Sequence, residues 1–219
     1  KGKAIDIVKR VQGTGEKLIE DFMIAANETV ATHISNMDLP FIYRVHDLPN
    51  SDKIEDFSNL LKQLGYHLNV NMNSLTPKTM QQILNELRDK DEFMILSDML
   101  LRSMKKAIYS TNNIGHFGLA SKNYTHFTSP IRRFPDLTVH RLLRTYLFEN
   151  RIDMETINFN AKYLIDVAEH SSETEVNAIE AEREVLDMKM AEYMEDHIGE
   201  EYDGIISGVT NFGLFIELS

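Results

Sequence analysis

Residues 115–141 read GHFGLASKNYTHFTSPIRRFPDLTVHR, and this stretch decides how the rest of the 219-residue chain is interpreted. It combines arginines, histidines, hydroxyl groups and aromatic rings, a mixture that suits a phosphate-rich ligand carrying bases. Residues 102–144 contain eight Lys or Arg and one Asp, a net charge of +7, whereas the whole chain has a net charge of −11. A strongly basic segment in an acidic protein predicts a local binding site for a polyanion.

Arg132 is the first candidate for contact with such a polyanion. Its guanidinium group is planar and can bind phosphate oxygens through two parallel hydrogen bonds. Ser129-Pro130 is typical of a helix start, and Arg132 would then lie near free backbone N–H groups and the positive end of the helix dipole. The spacing also allows an internal ion pair between Arg132 and Asp136, four residues further on.

The same stretch holds weaker candidates. Arg133 and Arg141 are each either a ligand contact or a structural arginine. His116 lies in a loop flanked by glycines, where its ring can stack on or hydrogen-bond to a nucleotide, or pack within the loop. From spacing alone, His140 is an ordinary packed histidine and Tyr124 a core residue, although both can also contact a ligand.

A second candidate group lies upstream, on a helix predicted over about residues 16–34. Glu20 and Asn27 are seven residues apart and therefore share one face, which differs from the apolar face. A carboxylate and an amide there can order a metal ligand, a water or a ribose hydroxyl, or can simply be solvated. The apolar face of this helix consists of Ile19, Met23, Ala26, Val30 and Ile34.

Periodicity and turn signals predict a largely helical chain with few strands. Pro135 predicts a turn or half-helix at 130–134 before a regular helix over about 135–149, and the absence of Pro and Gly from 160 to 198 predicts one long helix. The core face of the 135–149 helix would consist of Val139, Leu142, Leu143, Tyr146 and Leu147. The other expected elements are a weak strand at 5–11, a strand at 41–45, helices from residue 50 or 51 to Gly65, from Thr76-Pro77 and over about 93–109, and a strand–turn–strand unit at 202–218.

Composition excludes several kinds of site. The chain has no cysteine, so it has neither disulfides nor thiolate zinc sites, and this fits a reducing cytosol. It has no apolar run long enough to cross a membrane and no tight Asp/Glu cluster of the kind that holds two magnesium ions. Because no Met opens the chain and its last residues read as a strand, we expect the sequence to be an excised fragment.

Several motifs, in this order, resemble the RNase II/RNB family of processive 3′-to-5′ exoribonucleases. They are EKLIEDFMIAANE at 16–28, LRSMKKAIYS at 101–110, GHFGLA at 115–120, HFTSPIRRFPDL at 126–137 and HR at 140–141. The resemblance covers residues 1–197 and implies an α+β, predominantly helical fold, the C-terminal half of an RNB-type catalytic domain. Residues 198–219 resemble the first strands of the OB-fold RNA-binding domain that follows it.

The resemblance also implies roles for single residues. Arg132 corresponds to the arginine that contacts the scissile phosphate, and Glu20, or its neighbour Asp21, to an acidic residue near the reaction centre. Glu182 corresponds to a glutamate near the 3′ end of the RNA. The candidate RNA-binding residues are then Arg133, His116, Tyr124, His140, Arg141 and Glu182.

The aspartate cluster of the family has no counterpart in this sequence. The resemblance implies that an intact enzyme uses two Mg²⁺ ions to release nucleoside 5′-monophosphates from the 3′ end of single-stranded RNA, and that this fragment binds no metal and is inactive alone. We expect a cytoplasmic location, no membrane contact, a monomeric intact enzyme, and self-association of the fragment through its truncated hairpin. The alternative is a non-catalytic RNA-binding or scaffold protein that uses the helical half of the fold.

Overall fold

The computed structural model describes residues 2–8, 10–66, 75–90 and 92–218. Its regular elements are α1 (Thr14–Asn36), β1 (Tyr43–Val45), α2 (Ser51–Gln63), α3 (Pro77–Leu87), α4 (Phe93–Ser103), β2 (Ile108–Ser110), a 3₁₀ turn (Phe117–Leu119), α5 (Phe134–Leu143), a π-helical turn (Arg144–Phe148), α6 (Met154–Met194), a 3₁₀ turn (Glu195–His197), β3 (Gly204–Thr210) and β4 (Gly213–Leu218). The chain is thus predominantly helical with a few short strands, which confirms the predicted fold class.

The chain forms two compact units, residues 12–175 and residues 1–11 together with 176–219. The division falls inside α6. The domain boundary expected at 197/198 stays a prediction. None of the helices in the described ranges combines the length and the apolar composition needed to cross a membrane.

The described part of residues 12–175 holds two hydrophobic cores. In the first, α1, α5 and the N-terminal part of α6 pack with β1 and β2, which pair antiparallel with Arg44 opposite Tyr109. In the second, α2, α3 and α4 pack with Phe117. The largest fully buried side chains are Tyr146, Phe41, Phe57, Ile34, Ile42, Ile83, Leu87, Leu96, Leu100, Leu164, Val45 and Val139.

Local capping explains where these helices begin. The Asn50 side chain accepts a hydrogen bond from the Lys53 N–H at the start of α2, and Thr76 Oγ1 accepts one from the Thr79 N–H at the start of α3. Pro77 follows Thr76 at the first helical position, where a missing N–H costs nothing. Both starts confirm the sequence prediction.

Some sequence expectations were wrong. The helix expected over 93–109 ends at Ser103, because Met104 is extended (φ −73°, ψ 143°) and residues 108–110 pair with β1. The weak strand expected at 5–11 is absent from the described residues of that range. Pairing with a distant strand overrides local helix periodicity in the first case.

The expected core faces also differ at their ends. Ile19 is 59% exposed and Leu147 is 38% exposed, whereas Ile34, Val139 and Tyr146 are buried as expected. Ile19 lies in the first turns of α1, and Leu147 lies in the π-helical turn, where the residue spacing no longer follows 3.6 residues per turn.

The unit of residues 1–11 and 176–219 contains the antiparallel pair β3–β4. Its register shifts between Ile206 and Gly208. This confirms the strand–turn–strand unit that the sequence predicted. Lys3 Nζ and Asp196 Oδ2 form an exposed ion pair of 2.7 Å within the same unit.

Candidate functional site

The basic turn, residues 129–133, directly precedes α5. The backbone N–H groups of Arg132 and Arg133 donate to the Ser129 carbonyl over 3.3 and 3.1 Å, which closes the turn. Since α5 begins at Phe134, Pro135 occupies its first turn, where the missing N–H costs no hydrogen bond. The turn and the start of the helix agree with the sequence prediction.

The buried side chain of Asp136 stabilises the basic turn through two hydrogen bonds. Its side chain is fully buried, and Oδ1 accepts hydrogen bonds from the Ser129 backbone N–H and from Nη2 of Arg133, both over 2.8 Å. The sequence left open a pair between Arg132 and Asp136, but the structure pairs Asp136 with Arg133. Arg133 has extended backbone (φ −124°, ψ 119°) and precedes the helix, so the helical i, i+4 spacing does not apply there.

Arg132 lies exposed on the same turn. Among the described residues, its side chain forms neither an ion pair nor a hydrogen bond. Neighbouring Ile131 is also fully exposed. A guanidinium group without an internal partner is available to bind an external anion through its planar set of donors.

Residues 124–127, which lead into the basic turn, are hydrogen-bonded one after another. The contacts are Tyr124 OH with Asn27 Nδ2 at 3.0 Å, Thr125 Oγ1 to the Ile42 carbonyl at 2.7 Å, His126 Nδ1 with Tyr109 OH at 2.8 Å, and the Phe127 carbonyl with His140 Nε2 at 2.9 Å. The partners come from α1, from the chain before β1, from β2 and from α5. The segment is therefore held by hydrogen bonds to four different parts of the chain.

Asn27 has a structural role that the sequence did not reveal. It is 2% exposed; its Nδ2 donates to Tyr124 OH, and its Oδ1 accepts from the Phe127 N–H at 3.0 Å. One amide can do both because it carries donors and an acceptor. The partners lie 97 and 100 residues away, so no local pattern predicts them.

A row of rings runs through the site. The centroids of His46 and His116 are 5.1 Å apart, those of His116 and Tyr124 5.2 Å, those of Tyr124 and His126 5.9 Å, and those of His126 and Tyr109 5.6 Å, all edge to face. Tyr124 is buried and His116 half-buried. Their predicted contacts with RNA stay predictions.

Burial keeps His116 and His126 neutral near pH 7. It lowers the pKa of His116 to about 4, with the charge of His46 as the next cause, and His116 Nδ1 accepts a hydrogen bond from the Leu119 N–H. Burial, followed by the charges of nearby arginines, lowers the pKa of His126 to about 3. Burial likewise raises the pKa of Tyr109 to about 12. His116 and His126 therefore add no positive charge to the site near pH 7.

Arg44 is another site residue that the sequence did not reveal. It forms an ion pair with Glu175 at 2.7 Å, and its Cζ lies 4.6 Å from the centre of the Tyr109 ring. Because Tyr109 OH bonds to His126, these contacts connect α6 to residues 124–127. The ion pair joins residues 131 positions apart, and no motif marks it.

The other predicted site residues have different surroundings. The His140 ring stacks on Phe127 at 4.3 Å, whereas Arg141 is exposed on α5. Glu20 is exposed on α1 and accepts a hydrogen bond from Gln12 Nε2 at 2.6 Å. Glu182 is exposed on the part of α6 that belongs to the unit of residues 1–11 and 176–219. The roles of these residues stay predictions.

The residues around Arg132 do not fit a magnesium ion. Mg²⁺ prefers carboxylate and water oxygens in octahedral geometry. The polar groups here include arginines, histidines and Asp136, whose Oδ1 already binds Arg133. Across the described ranges, no group of three or more His, Asp or Glu is placed to hold a metal ion.

The sequence of this chain matches a known protein family. The model of the RNB domain matches residues 1–149. The chain belongs to the RNB domain family. The matched range includes α1, the row of rings, the basic turn and Asp136.

Relatives of known name agree with this family. Ribonuclease R 1 of Lactococcus lactis is 50% identical over 100% of this chain and 27% of its own length, and ribonuclease R of Thermotoga maritima is 46% identical over 99% and 31%. Among solved structures, Mycoplasma genitalium RNase R in complex with ribose-methylated single-stranded RNA matches with a TM-score of 0.88 and 34% identity, over 95% of this chain and 33% of that one. The chain thus spans about a third or less of the length of these relatives.

Proposed function

We propose that the protein containing this chain is a 3′-to-5′ exoribonuclease that hydrolyses single-stranded RNA to nucleoside 5′-monophosphates. Membership of the RNB domain family and similarity to proteins named ribonuclease R support the proposal. The observation that carries it is the exposed guanidinium group of Arg132, which lacks an internal partner among the described residues and lies on a turn fixed by Asp136.

Arg132 has a defined part in the proposed reaction. Its planar donors bind two non-bridging oxygens of the scissile phosphate. Negative charge on those oxygens increases as water attacks phosphorus, so Arg132 stabilises the transition state more than the bound substrate. Because the turn is already closed in the free chain, the backbone that carries Arg132 needs little reorganisation during the reaction.

The proposal includes partners and location. The ligand is the 3′ end of a single RNA strand, and Glu20 is the acidic residue near the reaction centre. The further candidate contacts are His116, Tyr124, His140, Arg141 and Glu182. The family resemblance implies magnesium. Because the residues around Arg132 do not fit this ion, other residues of the complete protein would bind it. The β3–β4 pair would begin an OB-fold RNA-binding domain. We expect a cytoplasmic monomer, in line with the absence of cysteine.

Hydrolysis of a labelled RNA by the complete protein tests the proposal. By the complete protein we mean the whole translated product that contains this chain. With Mg²⁺ and single-stranded RNA labelled at its 5′ end, we expect stepwise shortening from the 3′ end and release of nucleoside 5′-monophosphates. Arg132→Ala should remove most of this activity. Arg151→Ala is a matched control, because Arg151 is an exposed arginine that lies outside the basic segment.

The same assay separates the non-catalytic alternative. Tight RNA binding by the complete protein without release of mononucleotides would contradict the proposal and favour an RNA-binding scaffold.

A further inference from the structure

Asp136 connects the two ends of the basic turn through one oxygen atom. Oδ1 binds the N–H of Ser129, the first residue of the turn, and Nη2 of Arg133, the last. The Ser129 carbonyl closes the same turn by accepting from the N–H groups of Arg132 and Arg133. The backbone of residues 130–132 is therefore fixed at both ends, and with it the point from which the Arg132 side chain starts.

The two adjacent arginines consequently have different surroundings. The side chain of Arg133 is 19% exposed and its charge is compensated by Asp136, which is fully buried. Arg132 is exposed and, within the described residues, has no such partner. The Asp136 carboxylate thus binds the partly buried guanidinium of Arg133, whereas the guanidinium of Arg132 stays exposed to solvent.

Stability does not explain this arrangement. Buried ion pairs contribute little net stability compared with apolar residues of similar size, because both charges must leave water. Two buried atoms of the pair itself, Arg133 Nε and Asp136 Oδ2, also have no hydrogen-bond partner among the described residues, and neither has Thr128 Oγ1, which precedes Ser129 in the sequence. Each unpaired buried atom costs free energy. An energetically costly arrangement at the base of an exposed arginine indicates a role in orientation.

We propose that Asp136, acting through Arg133 and the Ser129 N–H, is a positioning residue that aims Arg132 at the RNA phosphate. This inference rests on the proposed function of Arg132. It gives Arg133 the structural role that the sequence left open, in place of the direct RNA contact proposed with the family resemblance.

Steady-state kinetics of four variants of the complete protein test the inference. Asp136→Asn should lower kcat about 10- to 100-fold, as expected when a reacting group is displaced by about 1 Å, and should change KM by less than about threefold. The double variant Arg132→Ala/Asp136→Asn should have the kcat of Arg132→Ala, since Asp136 acts only through Arg132. Asp153→Ala is the control for lost stability: Asp153 caps α6 by accepting from the Thr156 N–H at 2.9 Å, so removing this acceptor should lower stability and leave kcat unchanged.

Two results would overturn the inference. One is a kcat for Asp136→Asn that equals the control. The other is an additive loss in the double variant, which would show that Asp136 acts independently of Arg132.

Arg133 variants keep the inference testable if Asp136→Asn fails to fold. Arg133→Lys retains a cation for Asp136 and should keep most of kcat. Arg133→Gln lacks that cation, so its kcat should fall strongly with little change in KM. A raised KM in both variants would instead indicate direct RNA contact by Arg133, because lysine lacks the planar donor set.

Failure of the proposed function is distinguishable from failure of this inference. If the wild-type complete protein hydrolyses no RNA, the proposed function fails. The same variants are then compared by RNA affinity. Non-additive weakening by Asp136→Asn and Arg132→Ala supports positioning, and additive or absent weakening by Asp136→Asn refutes it.

Discussion

Replacing Asn27 with alanine should release the segment that leads into the basic turn. Asn27 is 2% exposed and makes two hydrogen bonds of 3.0 Å, one to Tyr124 OH and one from the Phe127 N–H. Alanine lacks the side-chain amide, so Asn27→Ala removes both hydrogen bonds at once. The Phe127 N–H, which is part-buried against the first hydrophobic core, is then left without its acceptor, and Tyr124 OH loses its donor.

The magnitude follows from the cost of unpaired polar groups. A buried donor or acceptor that loses its partner costs about 1–3 kcal/mol, so two such groups cost roughly 2–4 kcal/mol after partial relaxation. At about 1.4 kcal/mol per factor of ten, this corresponds to a roughly 30- to 700-fold loss of protection for local opening. Asn27→Asp should lose less, because a protonated carboxyl group retains a donor and an acceptor.

Amide hydrogen exchange in the complete protein measures this directly. In Asn27→Ala we expect faster exchange at residues 124–129, and above all at the Phe127 amide. Thr29→Ala is the matched control: Thr29 is exposed on the same helix and hydrogen-bonds only to the Ala25 carbonyl, so protection of residues 124–129 should not change. Unchanged protection of Phe127 in Asn27→Ala would refute the reasoning that Asn27 anchors the segment.

Further predictions concern pH, the end of the chain and metal dependence. Because the folded pKa values of His116 (about 4) and His126 (about 3) lie below their ordinary value, their neutral forms contribute stability that is present above about pH 6.5 and is lost as the pH falls toward 4. Thermal unfolding should therefore occur at lower temperature at pH 5 than at pH 7, with a smaller difference in His126→Gln; a higher unfolding temperature at pH 5 would contradict this. β3 and β4 form a two-stranded antiparallel pair, which is marginally stable by itself in water. If they begin an OB fold, as proposed, which needs about five strands, residues 204–218 of the isolated 219-residue chain should exchange rapidly at low concentration and gain protection on self-association; strong protection in a proven monomer would show that the pair is stable by itself. The resemblance implies that the family's aspartate cluster lies outside this sequence, so we expect the isolated chain to release no mononucleotides from single-stranded RNA even with Mg²⁺; steady release would refute that expectation.

Local signals predicted most of the helical framework. Asn50 and Thr76-Pro77 mark helix starts because capping depends on residues within three positions, and both caps are present. The turn before α5 was predictable from Pro135 for the same reason. β2 was not, because residues 108–110 form a strand only when they pair with residues 43–45, far away in the sequence.

The candidate site was predictable only in part. Its location in the basic segment followed from charge, and the choice of Arg132 followed from the chemistry of phosphate binding. The partner of Asp136 did not follow, because the i, i+4 rule assumes a helix and Arg133 precedes α5. The roles of Asn27 and Arg44 depend on contacts with residues about 100 or more positions away, which no pattern in a single sequence encodes.

The kcat of Arg132→Ala in the complete protein tests the central claim most directly. If Arg132 stabilises charge on the scissile phosphate, kcat on single-stranded RNA should fall about 100-fold or more, as for loss of one preorganised donor, while RNA affinity changes far less. Arg132→Lys should recover little, because a point charge lacks the planar donors, and Arg151→Ala should behave as wild type. A kcat near the wild-type value in Arg132→Ala, with intact folding, would contradict the account.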